Sequence, residues 1–114
     1  VKNLLLCLFL LAAAARAEAA ELLIFTAEWC GPCQLLKADH AADPTLFDNY
    51  TWGYVDFDAE KELVQMYGVR TVPTFLILER NTVVRQQVGY QGPEKLKNWL
   101  KGTQPRRFRR SHVE

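Results

Sequence analysis

The chain has 114 residues, 49% of them hydrophobic, which is enough for one compact domain and too few for two. Its 14 basic and 13 acidic residues are spread along the length for a formal net charge of +1, so no global field draws it to nucleic acid or to a membrane surface.

The first residues read differently from the rest. Lys2 precedes the apolar run Leu4 to Ala15, and small residues recur around Ala15-Arg16-Ala17 and Ala17-Glu18-Ala19. A basic start, a short apolar centre and A-x-A sites are the layout of a secretory signal peptide, so residues 1–19 are expected to direct export and to be removed after Ala17 or Ala19. The alternative is an N-terminal helix of the mature fold. A spanning anchor is disfavoured, because the apolar run falls short of the roughly 20 residues that cross a bilayer. Cys7 lies inside this run and reads as a small hydrophobe that leaves with it.

Leu22-Leu23-Ile24-Phe25 is a short continuous apolar run, which fits a strand buried on both faces. A helix is expected from Cys33 to about Ala42, with Pro32 suited to its first turn and Asp43-Pro44 closing it. Thr51 to Phe57 is rich in β-branched and aromatic residues and predicts a second strand. A helix from about Ala59 to Tyr67 follows, with Asp58 as its N-cap and Gly68 as a left-handed stop. Pro73 opens a third strand, Thr74 to Leu78, and the polar stretch Glu79 to Thr82 turns it into a fourth, Val83 to Val88, as an antiparallel hairpin. Gly89, Gly92 and Pro93 break the chain before a last helix, Glu94 to Lys101, which carries Leu96, Trp99 and Leu100 on one face. Residues 104–114 form a basic tail containing Phe108, read as a solvated terminus rather than a nucleic-acid arm. This order implies an α/β domain over residues 20–103. Its mixed four-stranded sheet is flanked by helices, and the first two strands are parallel.

The chemistry concentrates in Trp29-Cys30-Gly31-Pro32-Cys33. Two cysteines separated by two residues at a helix start bring their sulfurs within reach of a disulfide. The unpaired N–H groups and the dipole there favour a thiolate, lowering the first thiol's pKa from about 8.5 into the range of about 3.5 to 7.5. Cys30 is therefore the candidate nucleophile, and Cys33, one turn further in, the candidate resolving thiol. Other readings of the pair are weaker. A zinc site needs four ligands, and beyond the pair only His40 and His112 are available. A cysteine protease needs a histidine beside Cys30, whereas His40 sits late in the same helix. A purely structural disulfide is the stronger alternative for an exported domain.

The pentapeptide, together with Tyr67-Gly68-Val69-Arg70-Thr71-Val72-Pro73-Thr74 and Val88-Gly89, resembles the thioredoxin family from about Leu22 to Lys101. The resemblance implies the thioredoxin fold, here lacking the usual first strand and helix. It implies that Pro73 is a cis-proline facing the disulfide, that Trp29, Gly31, Pro32 and Pro73 support the active site, and that Trp29, Val72, Pro73 and Gly89 border the substrate groove. It further implies a thiol-disulfide oxidoreductase acting on disulfide-containing protein substrates through a CGPC dithiol. Its electrons would come from a thiol or membrane donor, and it would need no metal and no cofactor beyond the Cys30-Cys33 disulfide. No nucleic acid is expected as partner, the state expected is a monomer, and the location periplasmic or secreted. The alternatives are a binding or assembly module of the same fold with a structural disulfide, and a cytoplasmic or phage thioredoxin with a helical N-terminus. The chain departs from the family where a buried aspartate stands six residues before the first cysteine: here that position is Ile24. Tyr54 replaces a lysine, and Ala38 a helix-kinking proline.

Overall fold

The computed structural model describes residues 20–102, so the expected leader, its Cys7, and the basic tail with His112 lie outside the described residues. Seven elements follow in chain order: β1 Glu21–Thr26, α1 Gly31–Ala42, β2 Thr51–Asp56, α2 Lys61–Tyr67, β3 Thr74–Glu79, β4 Thr82–Val88 and α3 Pro93–Lys101. The sheet runs in the order β2-β1-β3-β4, with β1 and β2 parallel and the other neighbours antiparallel.

The centre of β1, Leu22 to Phe25, is apolar because the strand is an inner one covered on both faces. Leu22 and Ile24 join Leu36 of α1, Phe75 and Ile77 of β3, and Leu96 and Leu100 of α3 in one core cluster. Leu23 and Phe25 point the other way, where Phe25 packs with Val55, Leu76 and Leu78 beneath Leu63, Val64 and Tyr67 of α2. The strand period of two thus divides one run of side chains between two cores. Each fully buried Leu, Ile or Phe contributes roughly 1.5 to 3 kcal/mol, and the two cores clamp β1 in a single register.

At the far end of α1, the Asp43 backbone N–H closes on the Asp39 carbonyl, and its carboxylate accepts from the Thr45 hydroxyl at 2.7 Å. That bond, aided by Lys97 at 3.4 Å, holds the Asp43 carboxyl below the usual range. His40, one turn earlier, packs against Phe47 and Trp52 at ring separations of 4.5 and 4.8 Å, and its Nδ1 lies 2.9 Å from the Tyr54 hydroxyl. Burial pushes that hydroxyl's pKa up to about 12. This aromatic group fastens the outer strand β2 to α1.

Several boundaries differ from the sequence expectation, by one residue at the end of β2 and the starts of β4 and α3 and by two at the helices α1 and α2. α1 starts at Gly31, two residues early, because Cys30 itself is the N-cap. α2 starts at Lys61, and its N-cap is Glu60, with no side-chain hydrogen bond. Asp58 is not the cap. The carboxylate of Asp56 takes the N–H groups of Asp58 and Ala59 in a turn that delays the helix, and the Asp58 side chain is committed elsewhere. The hairpin loop is the two residues Arg80 and Asn81, both left-handed with φ of 53° and 66°, between the paired Glu79 and Thr82. Gly68 ends α2 in the left-handed conformation, with φ of 67°.

Candidate active site

The carboxyl end of β1 delivers the chain through Thr26 to Trp29 into the start of α1, a strand-to-helix junction that exposes the first turn of the helix. Cys30 has extended backbone, φ −95° and ψ 113°, and its Sγ accepts the Cys33 backbone N–H at 3.2 Å. A sulfur is therefore doing what a serine or aspartate oxygen does at other helix starts. Cys30 and Cys33 are joined as a disulfide with their Cα atoms 5.2 Å apart. Cys33 is 0% exposed and Cys30 only 5%, while Gly31 and Pro32 between them face solvent.

The pair sits in its own small apolar cluster with Ala27, against which Phe57 and Val72 pack. Pro73 follows Val72 through a cis peptide bond and is fully buried, and its carbonyl accepts the Gly89 N–H at 2.8 Å. Val88, half exposed, pairs with Thr74 at the end of β4. The expected site residues are thus brought to one end of the sheet: the Trp29 to Cys33 turn, the Val72-Pro73 loop against it, and Gly89 bonded to that loop.

Trp29 is 66% exposed, yet its ring is located on two sides. Its Nε1–H donates to the Asp58 carboxylate at 2.7 Å, and it stands edge-on to Phe57 with ring centres 6.5 Å apart. The carboxamide of Gln34, the residue after Cys33, reaches back to the carbonyls of Ala27 and Glu28 at 3.4 and 3.3 Å, bracing the turn. Phe57 and Gln34 were missed as site residues in the sequence, and Asp58 was read there as a helix cap, without its bond to Trp29. The usable signal was Asp58 two residues past the end of β2, on the side of the sheet where Trp29 emerges. Ile24 is fully buried and belongs to the cluster beneath α1 and α3, so the strand that carries the motif offers no acid there.

His40 packs among aromatic rings on the second half of α1 and is no partner of Cys30. Among the described residues, no three His, Cys, Asp or Glu side chains are grouped to hold a metal ion. An open cleft of about 250 Å³, lined by Asp43, Leu46, Tyr50, Lys97 and Leu100, lies at the opposite end of α1 from the disulfide.

The family model described as Thioredoxin matches residues 12–102. The chain belongs to the thioredoxin family. It is 34% identical over 80 residues to the thioredoxin of Bacillus subtilis, covering 69% of this chain and 77% of that one. With the thioredoxin of Rhodospirillum rubrum it shares 30% over 89 residues, 77% of this chain and 86% of the relative. It spans about half, 47%, of thioredoxin-2 of Pyricularia oryzae, to which it is 35% identical over 71% of its own length. Among solved structures, a mutant thioredoxin of Halobacterium salinarum superposes with a TM-score of 0.61 at 32% identity, over 74% of each chain. A thioredoxin of Nicotiana alata does so with 0.64 at 27%, over 82% of this chain and 81% of that one. Family membership and the cysteine pair at this spacing support thiol-disulfide oxidoreductase chemistry.

Proposed function

We propose that this thioredoxin-family chain is an exported enzyme that exchanges disulfides with protein substrates through the Cys30-Gly31-Pro32-Cys33 dithiol. The observation that carries the reading is the Cys30 sulfur at the N-cap of α1, accepting the Cys33 N–H and lying at the positive end of the helix. The same N–H and dipole stabilise a thiolate once the disulfide is reduced.

In the reducing direction the Cys30 thiolate attacks one sulfur of a substrate disulfide. A Cys30-substrate mixed disulfide forms, and one substrate thiolate leaves and takes up a proton. Cys33 then gives up its proton and attacks the Cys30 sulfur, forming the Cys30-Cys33 disulfide and releasing the second substrate thiol. Two electrons pass from the dithiol to the substrate, and an external thiol or a membrane donor restores the dithiol. The exposed Trp29 and Val88, with Val72 and Gly89 between the turn and β4, supply an apolar surface for the substrate chain. Export is supported by the Lys2, Leu4 to Ala15 and A-x-A pattern. Among the described residues no helix is long and apolar enough to cross a membrane.

Turnover of a protein disulfide such as insulin, with dithiothreitol as reductant, tests the proposal. Replacing Cys30 by serine is expected to abolish turnover, and the Cys33→Ser variant should accumulate the mixed disulfide through Cys30. A parent chain that reduces insulin no faster than dithiothreitol alone would instead favour a binding module whose disulfide is structural.

A further inference from the structure

β4 ends at Val88, and residues 89–92 cross from the sheet to the helix layer before α3 begins. The two glycines at its ends, Gly89 and Gly92, have φ of +91° and +107°, which glycine alone adopts cheaply, so permissive backbone brackets Tyr90 and Gln91. Two contacts hold the first half of this segment. The Gly89 N–H donates to the Pro73 carbonyl at 2.8 Å, and the Tyr90 hydroxyl donates to Asp39 Oδ2 at 2.6 Å. The Tyr90 ring packs on the core cluster that contains Leu36 of α1 and Leu96 of α3. Burial first, and then the bond to Asp39, raise the hydroxyl's pKa well above that of a free phenol, so it remains a donor throughout the working range of pH. Asp39 lies on α1 six residues beyond Cys33, about 9 Å along the helix axis. The helix that carries the redox pair is in this way tied to the residue that follows Gly89.

We propose that Asp39 and Tyr90 are positioning residues for the substrate groove, their hydrogen bond fixing the Gly89 wall relative to α1. The proposal rests on the reading of that groove as the substrate site. A tyrosine that only fills the core, with its hydroxyl incidentally satisfied, would leave Gly89 indifferent to loss of the oxygen. The separating variant is Tyr90→Phe, which keeps the ring and removes the bond, while Asp39→Asn keeps an acceptor oxygen. In the oxidised full chain, deuterium exchange at the Gly89 amide should accelerate about tenfold in Tyr90→Phe, with the Leu76 amide in the inner strand β3 unchanged. Asp39→Asn, made alone, should keep exchange within about twofold of the parent, since an amide oxygen still accepts from the Tyr90 hydroxyl. With insulin as substrate, KM should rise about threefold or more in Tyr90→Phe while kcat moves far less. An unchanged Gly89 exchange rate, or equal acceleration at Leu76, would overturn the proposal. A parent chain that turns over no protein disulfide would count against the proposed function instead, and the Gly89 amide would still decide whether the brace exists.

Discussion

Trp29 is the most exposed large side chain of the motif, and Asp58 is the carboxylate that reaches the motif by hydrogen bond. An indole left free at a helix start samples several rotamers, and each one not suited to the substrate costs encounter productivity. The 2.7 Å bond to Asp58 and the edge contact with Phe57 select one. Because the bond is exposed, its removal should cost little stability, less than about 1 kcal/mol. Asp58→Ala is therefore expected to slow exchange with a protein disulfide severalfold while the denaturation midpoint hardly moves, and Asp58→Asn to recover most of the rate. Equal rates in all three proteins would show that the ring is placed by Phe57 alone. Ile24 has a different consequence at this scale. With Ile24 apolar and Glu21 at the far end of β1 from the motif, the proton of the fully buried Cys33 is left to solvent or to a carboxylate at the rim of the site.

At the scale of elements, the β3-β4 hairpin carries a local conflict. Its two-residue loop requires left-handed backbone at both positions, and Arg80 is an unfavoured residue for that conformation. The double change Arg80→Asn with Asn81→Gly should stabilise the fold by about 1 kcal/mol, raising the thermal midpoint by roughly 4 to 8 °C for a domain of this size. A midpoint that stays or falls would mean that the Arg80 side chain contributes contacts worth more than the strain. Most elements were legible in the sequence because their signals are local. The apolar run of β1, the Asp43-Pro44 stop of α1, the Gly68 stop of α2 and the one-sided pattern of α3 each depend on a few adjacent residues. The start of α2 was misread, because Asp56 and Asp58 are both competent caps and only tertiary placement decides between them. The structure gives Asp56 to the turn and Asp58 to Trp29, 29 positions away. The Tyr90-Asp39 bond, between residues 51 positions apart, left no trace in any local pattern.

For the molecule as a whole, the two cores on either side of β1 fix a sheet whose end holds one sulfur at the N-cap of α1 and the other a turn further in. Helices α1 and α3 cover one face, α2 the other, and the junction of β1 with α1 projects the pair between the Val72-Pro73 loop and the Trp29 turn. The asymmetry of the two thiols is a property of this assembly. Cys30 lies at the helix start, where the dipole and the Cys33 N–H favour its thiolate, whereas Cys33 is wholly buried in an apolar cluster that disfavours charge. The most direct measurement is alkylation of the fully reduced protein with iodoacetamide at a mildly acidic pH of about 6, where an ordinary thiol of pKa about 8.5 is almost unreactive, followed by peptide mapping. Selective modification of Cys30 is the predicted result; equal labelling of both cysteines, or preferential labelling of Cys33, would contradict the assignment of Cys30 as the attacking thiol.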